Sequence, residues 1–160
     1  VCSLTAPCRG FARAMSETNP GGEIVVLDSA GYGAFTIDRS VSVIAPPGLY
    51  AGVSVFAPFA GITVDAPGAK VALRGLSING QGGSPGIWML NGAELHVEGC
   101  VVSGLVNGIV IEAGSTTPDK ARSTPMIVTE RMAMTTSTMA EEAKMAALSG
   151  MNSCAKYISG

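Results

Sequence analysis

The chain has 160 residues, enough for one domain with a continuous core and too few for two comfortable ones. Its net charge is −2, with Lys and Arg scattered, so it carries no basic footprint and no nucleic-acid partner is expected. No apolar run approaches the ~18 residues of a membrane span, and no membrane partner is expected. With 47% hydrophobic residues but only 5% aromatic, the core must be built from Val, Ile, Leu and Ala.

Taken in chain order, the predicted elements repeat. Short segments with alternating apolar residues occur at Ala34–Asp38, Gly61–Asp65, Gly86–Leu90 and Gly108–Glu112, spaced by 27, 25 and 22 residues. A second series interleaves with it. Gly68–Gly80 aligns without gaps on Gly92–Gly104, 24 residues on, with Val71/Leu95, Leu73/Val97, Leu76/Cys100 and Ile78/Val102 in register. Period-two alternation makes each unit a strand with one buried face. Three such strands separated by turns make one coil, and only stacked coils bury a continuous apolar column. Gly75 and Gly99 recur between two strands of a coil, where a sharp bend calls for positive φ. A β-sandwich of hairpins would not require the same face pattern at a fixed interval. The expected fold is an all-β solenoid, a parallel β-helix, over residues 22–117. Within it Val71, Leu73, Ile78, Ile87, Met89, Leu95, Val97, Cys100, Val102, Ile109 and Ile111 should point inward.

The pattern fails after Ala113. Of 21 glycines only two follow residue 117, whereas six of eight methionines do, which marks a change of architecture at that point. Met126–Met134 is predicted to add one more strand. Thr138 and Glu141 form a capping box that opens a helix through Leu148, with Gly150 as its stop. Residues 118–160 are therefore expected to be a mixed strand and helix segment that caps the C-terminal end or serves oligomerisation.

Glu23–Tyr32 and Phe35–Ala45 resemble the opening coils of pectin-lyase-like right-handed parallel β-helix proteins. Cys2–Met15 is similar to the start of secreted bacterial members. The resemblance implies that residues 1–21 cap the open solenoid end, with a short helix over Phe11–Glu17. It also implies a Cys2–Cys8 disulfide pinning that cap, hence a secreted or periplasmic location. Cys100 is expected to be an inert buried thiol, and Cys154 has no assigned partner. The departures from the family are equally informative. The acidic clusters, basic residues and signature runs of pectate lyases, polygalacturonases and pectin methylesterases are missing. The sole histidine, His96, lies at an outward position and is expected to be a solvated imidazole.

What remains is the outer face of the strands at 34–38, 61–65, 86–90 and 108–112. One outward column should read Thr36, Thr63, Trp88, Val110, and its neighbour Asp38, Asp65, Leu90, Glu112. Asp38 and Asp65 on adjacent coils would be carboxylate neighbours. Repulsion would raise one pKa, as in a glycosidase pair, and the two could alternatively hold calcium. They are the candidate catalytic residues. Trp88, Thr63 and Glu112 are the candidate ligand-binding residues, since an outward indole beside Leu90 and Val110 marks a contact surface. No other metal or cofactor is expected. Two functions follow. The chain binds or cleaves a polysaccharide as a lyase or glycoside hydrolase, or it is a non-catalytic assembly module that forms a homo-oligomer through its open end.

Overall fold

The computed structural model describes residues 2–112, together with the backbone of two later strands, Glu130–Met134 and Ala155–Ile158. Helix α1 (Phe11–Glu17) comes first. The first turn holds β1 (Gly22–Val26), β2 (Ala30–Gly31) and β3 (Phe35–Ile37), and the second holds β4 (Val41–Ile44), β5 (Ala51–Phe56) and β6 (Ile62–Asp65). The third holds β7 (Lys70–Arg74), β8 (Leu76–Gln81) and β9 (Ile87–Asn91), and β10 (Glu94–Ser103) and β11 (Ile109–Ile111) follow. The later strands are β12 (Glu130–Met134) and β13 (Ala155–Ile158).

Each strand pairs in parallel with its counterpart one turn away, which makes the chain a β-solenoid of about three turns. The first face stacks β1, β4, β7 and the front half of β10. The second stacks β2, β5, β8 and the back half of β10, and the third stacks β3, β6, β9 and β11. The 24-residue repeat is the observed register, with Val71 beside Leu95, Leu73 beside Val97 and Ile78 beside Val102. The interleaved series is also the observed register: Phe35 pairs with Ile62, Ile62 with Ile87 and Ile87 with Ile109.

The core follows from this register. Ile24, Val43, Leu73 and Val97 stack in one fully buried column. Burying each such side chain contributes about 1.5–3 kcal/mol, and this is how a chain with few aromatics holds together. Gly75 and Gly99 make the bend between first and second faces at φ 70° and 61°. A Cβ on Gly75 would collide with the carbonyl oxygen of Ala45 on the preceding turn, so that corner also requires close backbone approach. Cys100 is a free, fully buried thiol, and burial pushes its pKa up.

Two inward expectations need correction. Ile109 is only half-buried and Ile111 is exposed. Both lie on β11, the last strand of the third face, and no further described strand covers them.

Helix α1 spans the predicted residues. It lays Phe11 against the rings of Tyr32 and Phe35, at 5.2 and 4.6 Å between centroids. Cys2 and Cys8 form a disulfide with their Cα atoms 5.1 Å apart. The later strands divide between the two ends of the first face. β12 adds beside β10, within the predicted Met126–Met134 strand, whereas β13 adds in parallel beside β1 at the opposite edge. The predicted helix from Thr138 to Leu148 and Cys154 lie outside the described residues.

Candidate functional site

Before β11 the winding commits most inward positions to the core and leaves the outward ones free to differ, and the three outer faces differ sharply. The first face is charged. Lys70 Nζ meets Glu94 Oε1 at 2.6 Å, and Arg74 Nε meets Glu98 Oε2 at 3.0 Å, each pair bridging adjacent rungs. The Lys70 ammonium bonded to Glu94 holds this carboxyl below the ordinary glutamate range. A contact from His96 pulls the same way, and partial burial opposes both. His96 is not the solvated imidazole expected from alternation. Its side chain is only 15% exposed and its Nε2 lies 3.4 Å from Glu94 Oε2.

The third face carries the predicted site residues. Thr36, Thr63, Trp88 and Val110 stand side by side in the expected outward column. Trp88 is half-buried, and its Nε1 donates to Glu112 Oε1 at 3.1 Å. This bond fixes the indole against the rung below it in the sequence of turns. Trp88, Thr63 and Glu112 are thus brought onto one surface.

The acidic neighbours are arranged differently from the expectation. Asp38 lies just past β3, and the Arg39 guanidinium grips both of its oxygens, at 2.6 and 2.8 Å. The same guanidinium donates to the carbonyl of Thr18, just after α1, at 2.9 Å. That fork holds the Asp38 carboxyl below the usual aspartate range, mainly through the hydrogen bond itself. Repulsion between the pair is expected to raise one of the two carboxyls; at Asp38 the shift runs the other way, because of a cation one residue away. Asp65 instead accepts from Asn91 Nδ2 at 2.7 Å. The register slips by one residue after Val64, so Asp65 faces Asn91 rather than Leu90. Calcium at Asp38 would have to displace Arg39 from the same oxygens. Among the described residues no cluster of three or more His, Cys, Asp or Glu side chains is placed to hold a metal ion.

The second face carries a feature that periodicity did not bring out. A half-open groove of about 340 Å³ runs over Gly31, Gly33, Ala34, Gly52 and Ser54 and is walled by Phe56, Phe59 and Ala60. Phe56 and Phe59 are 59% and 68% exposed, and Tyr50 beside them is 50% exposed. The Tyr50 ring lies over Gly52 so closely that a Cβ there would come within 2.7 Å of the ring edge. A signal was present in the sequence. Tyr50, Phe56 and Phe59 are three of only eight aromatic residues, gathered within ten positions around Pro58.

Among the described residues no helix is long and apolar enough to cross a membrane. No protein-family model matches the chain, and no curated protein or solved structure is recognisably similar to it.

Proposed function

We propose that this chain is a carbohydrate-associated β-helix that binds a polysaccharide on the third outer face. Trp88 is the stacking platform, and Thr63 and Glu112 are polar contacts. The observation that carries this reading is the indole of Trp88, half-exposed on a sheet face and fixed by its bond to Glu112. A ring held in place loses little freedom when a sugar stacks on it. Right-handed winding accords with the usual hand of parallel crossovers, and α1 serves as the cap of the first turn. The Cys2–Cys8 disulfide supports an oxidising, secreted or periplasmic setting. Catalysis as a lyase or glycoside hydrolase would fall to Asp65, with Asp38 as its partner only if Arg39 releases it.

Trp88 is the only tryptophan, so its emission reports on this face alone. Titration with a panel of neutral and acidic polysaccharides, with and without calcium, should shift that emission, and Trp88→Ala should abolish binding at this face. Any sugar release should disappear in Asp65→Asn. Unchanged emission across the whole panel rejects the reading. A second reading, a homo-oligomeric assembly module, is favoured by the exposed Val106 and Ile111 at the last described turn. Light scattering at micromolar concentration tests it, and a monomer mass rejects it.

A further inference from the structure

The geometry points to a second binding site, on the second outer face, for an uncharged glycan strand. It shares the carbohydrate reading above but not its surface. The groove floor is backbone: Gly31 and Gly33 have open space where a side chain would stand. Exposed Phe56 and Phe59 line it, and no lining residue is charged. The neighbouring rung continues this chemistry. Register sets Ser77 beside Gly52, Asn79 beside Ser54 and Gln81 beside Phe56, all at outward positions. Among the described residues, the side chains of Ser54, Ser77, Asn79 and Gln81 make no hydrogen bond within the protein. The surface therefore combines exposed aromatic rings with hydroxyl and amide groups and carries no formal charge.

Each property selects the same occupant. A sugar ring presents an apolar C–H face that stacks on an aromatic ring, while its equatorial hydroxyls both donate and accept, as an amide requires. An apolar protein segment seated here would strip water from Asn79 and Gln81 without replacing their hydrogen bonds, at a cost for each group. An anionic glycan would find no cation in the lining, in contrast with Lys70 and Arg74 on the first face. The groove volume lies at the small end of the ~300–1,000 Å³ typical of ligand sites, which suits a short stretch of a chain running on over Ser77, Asn79 and Gln81.

Calorimetric titration of the full, disulfide-intact chain tests this. The probes are hexasaccharides of glucose, mannose and xylose, with a galacturonate hexamer as the anionic comparison. At least one neutral hexasaccharide should bind, and more tightly than the galacturonate hexamer. The Phe56→Ala/Phe59→Ala double variant should weaken it at least about tenfold, two stacking contacts being lost. Asn79→Ala/Gln81→Ala should weaken it as well, which provides a second route should the aromatic variant fold poorly. Phe59→Tyr should retain binding. Three results overturn the inference: no neutral hexasaccharide binds, both double variants bind as the parent does, or only Trp88→Ala abolishes binding. The last would leave the third-face site standing alone. A concentration-dependent dimer that the Phe56→Ala/Phe59→Ala variant dissociates would also overturn it, by making the groove a contact between copies.

Discussion

The first and second faces of the solenoid are wound by the same repeat and joined at the same glycine corner, yet their outer surfaces have little in common. Inward, both present a column of aliphatic side chains: Val43, Leu73 and Val97 on one, Val53, Ile78 and Val102 on the other. Outward, the first face ties its rungs with ion pairs, while the second, among the described residues, leaves hydroxyls and amides without partners on a surface that also bears exposed aromatic rings. A face that spends its outer groups on its own rungs is committed to structure. A face that leaves them open is available for recognition.

Substitutions on the two faces should differ in their effects, and the largest belong to positions the faces share. Leu73→Ala removes the middle of a fully buried column and should destabilise the fold by about 2–5 kcal/mol in chemical denaturation. Gly75→Ala strains the common corner twice, through its positive φ and through the collision with Ala45, and should cost more than about 2 kcal/mol. If either variant unfolded at the parent's denaturant midpoint, the columns and corner would not be what holds the faces together.

Outward changes on the first face should be much smaller. Arg74→Ala removes an exposed pair with Glu98 and should cost at most about 1 kcal/mol, less in high salt. Glu94 adds a pH signature. Its folded pKa lies below the ordinary glutamate value, so its contribution is full above that value and fades as pH falls through the lowered one. Acid unfolding of Glu94→Gln should therefore show a shallower acid limb, with a difference of no more than about 1 kcal/mol. An identical limb would mean that the Lys70 contact contributes nothing in solution.

The same contrast explains what was legible in the sequence. The 24-residue register, the 27-, 25- and 22-residue offsets and the bend at Gly75 and Gly99 were readable, because inward and corner positions admit few residue types. Outward positions obey no such rule. Nothing in the alternation discloses that Arg39 turns back on Asp38, or that a one-residue slip sets Asp65 against Asn91. His96 alternates outward as expected but is covered by its surroundings. The strand at Ala155–Ile158 could not be assigned to β1 from pattern, since either free edge of the first face accepts a parallel partner. The groove was hidden for a related reason: glycines on strands read as turns, not as a floor.

Inward residues hold this molecule together, and the open outer face is proposed to serve recognition. The most direct measurement is the paired determination of unfolding free energy and neutral-hexasaccharide affinity for the Phe56→Ala/Phe59→Ala variant. Its stability should stay within about 1 kcal/mol of the parent, as for exposed side chains, together with affinity lowered at least about tenfold. A variant that loses several kcal/mol of stability but keeps the parent's affinity would contradict this.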